Sequence, residues 1–95
     1  MAMKHFFSKD NNGVCLTFND VRKVGDSDSI PFYFEQMVMD DSEVFHYAEG
    51  MLPSVIPTRT YGFTPIELQF LEGYLTDNCE IIYELAYEYA NGLRQ

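Results

Sequence analysis

The sequence predicts a small α+β domain: a mostly antiparallel sheet of about four strands followed by two C-terminal helices packed on one face. Three observations lead there. Apolar residues alternate in the first half of the chain (Val14, Leu16, Phe18; Ile30, Phe32, Phe34), and those after Phe63 recur at helical spacing. Strands and helices also occupy separate halves, which argues against a parallel βαβ sheet. With 95 residues and 46% hydrophobic, 22% charged composition, the chain is too apolar for a disordered tail and too interrupted by charge for a membrane span. It is read as a single domain over residues 1–95 with one modest core. A compact monomer of this mass exposes roughly 5,600 Å².

The N-terminal hairpin is placed at about residues 4–18. Asn12-Gly13 supplies two residues suited to φ > 0, as a type I′ turn requires, between Phe6-Phe7 and Val14. That turn sets Phe7 opposite Phe18 and Lys9 opposite Leu16. Asn19-Asp20 then caps a short helical turn through Val24 or begins a loop. Gly25-Asp26-Ser27-Asp28-Ser29 reads as a flexible stretch.

Further strands are placed at about residues 30–49. Ile30 to Met39 is rich in aromatic and β-branched residues with both faces apolar, a helix over Phe32 to Met39 being the competing assignment. Asp40-Asp41-Ser42 makes a turn into a second strand, Glu43 to Glu49. Gly50 to Gly62, holding Pro53 and Pro57, is a long connection with a short extended piece near Met51-Leu52.

The first helix is placed at about residues 64–77. Thr64 fits the N-cap, Pro65 the first helical position and Glu67 the third, completing a capping box, with Phe63 stapling onto Leu68. Ile66, Leu68, Phe70, Leu71, Tyr74 and Leu75 span roughly 200° of the helical wheel, wider than an ordinary surface stripe, which predicts cover on two sides. Asp77-Asn78-Cys79-Glu80 reads as a second start, so a break there and a second helix at about 78–91 are expected. Ile81, Ile82, Leu85, Ala86 and Tyr89 form its buried stripe. Asn91-Gly92 ends it, with Arg94 near the negative end of its dipole.

Charge is unevenly distributed. Fifteen acids against six bases leave a net charge of −9. Residues 1–30 are neutral, and from Pro31 onward only Arg59 and Arg94 oppose the acids. This balance excludes a protein that grips nucleic acid through its own basic patch. Its most ordered portion is Glu80, Glu84 and Glu88 at four-residue spacing, continued by Asp77 and flanked by Tyr83 and Tyr87. Like charges at that spacing cost roughly 0.2–0.5 kcal/mol per pair. They mark either a solvated face or a docking stripe for a basic surface, to which tyrosines add rigid contact area.

No motif for catalysis or ligation emerges. His5 and His46 lack metal-ligand spacing, Cys15 and Cys79 form no C-x-x-C, and Asp26-Ser27-Asp28 begins like a calcium loop but meets Ile30 and Pro31 where a ligand and a glycine are needed. No metal or cofactor is expected, and the absence of a secretory pattern with only two cysteines points to the cytoplasm. The leading expectation is a non-catalytic interaction module in which Asp77, Glu80, Tyr83, Glu84, Tyr87 and Glu88 dock a basic partner protein. In its specific form it inhibits or regulates a nucleic-acid-binding protein by presenting carboxylates where phosphates sit, without itself binding nucleic acid or membrane. One alternative is a ligand-binding domain or enzyme with a cleft near His46, Tyr47 and Asp40/Asp41. Another is a homodimer that pairs the Ile30 to Met39 strand as an exposed edge.

Overall fold

The computed structural model describes residues 4–39 and 43–92, with only the backbone for Val38, Met39, Glu43 and Val44. The expected turn at Asp40-Asp41-Ser42 and the placement of Arg94 lie outside the described residues. The fold is α+β, with one mostly antiparallel sheet and a C-terminal helix on one face.

β1 (His5–Lys9) and β2 (Val14–Phe18) form the expected hairpin, but its loop is one residue longer than a type I′ turn. Asp10 decides this: its Oδ1 accepts from the amides of Asn12 and Val14 at 2.8 and 2.9 Å, while Gly13 N donates to Asp10 O at 3.1 Å. Only Gly13, at φ 84°, is left-handed, so the loop is a three-residue turn closed by a glycine bulge. The register moves with it. Lys9 lies opposite Cys15 and Ser8 opposite Leu16, and an irregularity at Phe7 shifts it once more to set His5 opposite Phe18.

Residues 22–24 are neither helical turn nor loop. They form β3 (Arg22–Val24), which turns at Gly25-Asp26 and pairs with the start of β4 (Ser27–Met39), so the stretch read as flexible is a hairpin turn and a strand. β4 is a strand, as its period-two pattern predicts, and not the competing helix. It is also no edge: β3 and β2 pair successively along one side, and β5 (Glu43–Leu52) along the other. Self-pairing through β4 is therefore closed off as far as Gln36, beyond which residues 37–39 pair with β5 alone. Pro31 fits inside it because its carbonyl accepts from Asn19 N at 2.9 Å, which puts the missing amide on that same side, where the neighbour changes from β3 to β2. β5 extends through the piece expected near Met51-Leu52, and β6 (Arg59–Tyr61) pairs back onto it. The sheet has six strands in the order β1-β2-β4-β5-β6, with β3 beside β4. The two short strands, β3 and β6, are exposed throughout and carry no apolar period by which sequence could reveal them.

The expected two helices are one, α1 (Pro65–Ala90), with the capping box of Thr64 and Glu67 as predicted. Leu68, Leu71, Leu75, Cys79, Ile82, Ala86 and Tyr89 keep a three- or four-residue spacing across the supposed break, and all pack into or against the core. Asp77 and Glu80 are exposed, so nothing interrupts the buried stripe. Cover is one-sided rather than two-sided: Ile66 and Phe70 are 77% and 79% exposed, and Ile81, expected inside, is 46% exposed. The helix ends at Asn91-Gly92 as read.

The core lies between α1 and one sheet face. Leu16, Phe18, Ile30, Phe32, Phe34 and Leu52 meet Leu75, Ile82 and Ala86 there. Phe32 and Phe34 stand opposite Gly50 and Ala48, so the largest rings oppose the smallest residues, and a Cβ on Gly50 would come within 2.8 Å of Phe32 Cζ. The other face of the sheet has no covering layer among the described residues.

Two substitutions test the unbroken helix by urea denaturation. Gly73 is exposed with open space around its Cα, so Gly73→Ala is expected to stabilise by about 0.5–1 kcal/mol. Asp77→Ala should be neutral or gain a few tenths of a kcal/mol from helix propensity, whereas loss of a true N-cap would cost ~1 kcal/mol.

Candidate functional site

The C-terminal half of α1 carries the six residues singled out in the sequence, and the fold divides them. Asp77, Glu80 and Glu84 are exposed along one line of the helix, and no ion pair reaches them among the described residues. Glu88 is half-buried. Tyr83 and Tyr87 turn toward the sheet: Tyr83 OH donates to Asp28 O at 2.7 Å, and Tyr87 OH to Asp28 Oδ2 at 2.5 Å. Tyr87 remains 41% exposed at the rim.

The tyrosines fasten the helix. Asp28 also binds Lys23 Nζ at 2.8 Å, so a β3 lysine, a β4 carboxylate and two helical phenols form one clasp. The Lys23 hydrogen bond, then that of Tyr87, hold the Asp28 carboxyl below its ordinary value of 3.8. The same bond to Asp28, then burial, raises the Tyr87 phenol. On the other flank of the helix, from β1, His5 stacks on Tyr89 at 3.9 Å and binds Asp20 at 2.7 Å, and Tyr74 OH donates to Ser8 Oγ at 2.8 Å. Both flanks of α1 are thus tied down.

Sequence reasoning missed Ile81, which stands between Glu80 and Glu84 beside a shallow groove of about 400 Å³ lined also by Cys79 and Tyr83. It also missed Ile66 and Phe70, which edge a cleft of about 460 Å³ between the helix start and the β1–β2 loop, floored by Val14 and Leu71. An apolar helical residue carries no mark of which way it will face until the sheet is in place.

Of the residues of the rival cleft, the two that are described, His46 and Tyr47, lie on opposite faces of the sheet. His46 Nδ1 lies 3.0 Å from Gln36 Oε1, and Gln36 Nε2 donates to Asn12 O at 2.8 Å, which makes Nδ1 the donor. Its ring meets Phe63 edge-on and presses on Gly62, where at φ 90° a Cβ would come within 2.0 Å of it. Tyr47 lies on the other sheet face, stacked on Tyr61. Asp40 and Asp41 lie outside the described residues. Burial pushes the Cys79 thiol up and Glu80 adds to this, the opposite of what an activated nucleophile needs. Among the described residues no three His, Cys, Asp or Glu side chains gather as metal ligands, and no helix is long and apolar enough to cross a membrane. Comparison with protein-family models, with curated proteins and with solved structures finds no match to this chain.

The clasp has a pH signature. A depressed Asp28 pKa contributes stability above the ordinary carboxylate value that is lost as pH falls through the folded value. A raised Tyr87 pKa contributes below the ordinary phenol value and is lost as pH rises through the folded one. Asp28→Asn is therefore expected to be less stable than wild type at pH 7, with the gap narrowing below about pH 4. Urea midpoints from pH 2 to 7 read this directly, and a constant gap would show that the contact is not ionic.

Proposed function

We propose that this protein is a non-catalytic interaction module that presents the exposed carboxylates of α1 to a basic surface on a partner protein. The observation that carries this reading is the charge of the helix. Pro65–Ala90 contains six acids and no base, while Lys4, Lys23 and Arg59 pair with carboxylates elsewhere, on Glu35, Asp28 and Glu49. Asp77, Glu80 and Glu84 therefore keep their repulsion, and a cationic partner relieves it. Ile81, set among them, offers an apolar anchor, and the Tyr83–Tyr87–Asp28 clasp keeps the helix from adjusting, so little ordering is lost on docking.

The specific form of the proposal is regulation of a nucleic-acid-binding protein. From Asp77 to Glu84 the helix rises about 10 Å. One strand of duplex DNA carries three to four phosphates in roughly that length. Three carboxylates on a rigid rod thus approach the charge density that a phosphate-binding groove is built to hold. The reading places the protein in the cytoplasm, where the free thiols of Cys15 and Cys79 stay reduced.

Affinity capture from source-cell extract tests this. A basic protein is expected to be retained at low salt and released as ionic strength rises, since attraction between exposed charges is screened within about 10 Å at 0.1 M. Short duplex DNA should compete with the capture. The Glu80→Lys/Glu84→Lys variant, altered only at exposed positions, should keep its circular dichroism spectrum and lose the partner at least tenfold. Undiminished capture by that variant would sink the assignment.

A further inference from the structure

The sheet face opposite α1 exposes several large aromatic and apolar side chains without a covering layer among the described residues, and we propose that it is the contact surface of a homodimer, two copies packing sheet against sheet with their helices outermost. Phe6, Met37 and Tyr61 are each 62% exposed on it and Phe45 39%. Tyr33 and Tyr47 lie half-buried among them, Tyr47 stacked on Tyr61. Soluble monomers rarely expose a contiguous apolar patch beyond a few hundred Å².

Charge identifies the occupant as a second copy. Lys4, Lys9, Arg22 and Arg59 stand at register positions of this face with Glu35, Glu43 and Glu49, and two of those bases are already paired, Lys4 with Glu35 at 3.3 Å and Arg59 with Glu49 at 3.5 Å. A chain of net charge −9 thus has one nearly neutral, aromatic surface, which a strongly charged partner has little to read. Two copies approaching through their helices would bring six acids against six. Sheet to sheet, the repulsion is minimised: packed sheets lie ~10 Å apart and a helical layer is ~10 Å thick, so the two acidic helices end ~30 Å apart, about three Debye lengths at 0.1 M salt.

The area is enough for a specific contact. Five strands at ~4.8 Å spacing and about seven residues of ~3.3 Å each give on the order of 500 Å² per copy, hence about 1,000 Å² for the pair. That is the lower bound for a specific interface. An interface of that size suits reversible association, its affinity being set by packing rather than by area. It leaves the acidic line of α1 outward on both sides, so this assignment does not depend on the partner proposed above.

Sedimentation velocity and light scattering over about 5–300 µM, a range that brackets micromolar affinity, test the proposal. The mass should climb from 11.0 kDa toward twice that value. Met37→Glu and Tyr61→Glu, at exposed positions, should keep the circular dichroism spectrum and weaken association at least tenfold, while Glu80→Lys/Glu84→Lys should leave it intact. A strictly monomeric wild type would overturn the assignment, as would a dimer unaffected by Met37→Glu and Tyr61→Glu.

Discussion

One helix has to serve a sheet with two faces, and the rest of the structure follows from that shortage. The 26 residues of α1 cover a single layer, so every fully buried large side chain lies between the helix and the inner face, from Phe18, Phe32 and Phe34 to Leu75 and Ile82. The alternate residues of the same strands, Tyr33 and Tyr47 among them, receive no second layer among the described residues. Because a strand points successive side chains to opposite faces, a chain that builds β4 and β5 apolar on both sides creates an outer surface along with its core.

The shortage also fixes where charge can go. A helix packed on one side must face water on the other, and this chain fills that outer side with carboxylates. Among the described residues the bases lie instead in or beside the sheet, where Lys4 and Arg59 hold Glu35 and Glu49 on the open face and Lys23 holds Asp28 at the edge. The molecule is therefore polarised, acidic on its helical layer and near neutral on its open sheet. Such polarity gives two surfaces of different chemistry to a domain of 95 residues. The ties along both flanks of the helix keep those surfaces in fixed relation. His5 on Tyr89 and Ser8 with Tyr74 hold one side, and the tyrosine clasp on Asp28 holds the other.

Several elements were legible because their signals are local. The capping box at Thr64 and Glu67 needs only four consecutive residues, and the period-two runs of β2 and β4 need only the pleat. The misreadings arose where a local signal competed with a tertiary one. Asp77-x-x-Glu80 has the form of a helix start, yet the apolar spacing from Leu68 to Tyr89 continues beneath it, and burial of that stripe outweighs a cap worth ~1 kcal/mol. Asn12-Gly13 suits a type I′ turn, but the Asp10 carboxylate gathers two amides and lengthens the loop. In the candidate site the carboxylates were legible as a line. The inward turn of Tyr83 and Tyr87 was not, because their acceptor, Asp28, lies more than fifty residues away.

Sequence by itself determined the class of this protein: an antiparallel sheet first, helical structure last, one core, and an acidic excess concentrated on the final helix. Periodicity, capping chemistry and charge count are properties of neighbouring residues, and they survive without a fold. Tertiary structure alone decided which apolar residues are inside. Ile66, Phe70 and Ile81 have the same chemistry as Leu71, Leu75 and Ile82, and only the direction from which the sheet approaches α1 separates an exposed anchor from a core residue.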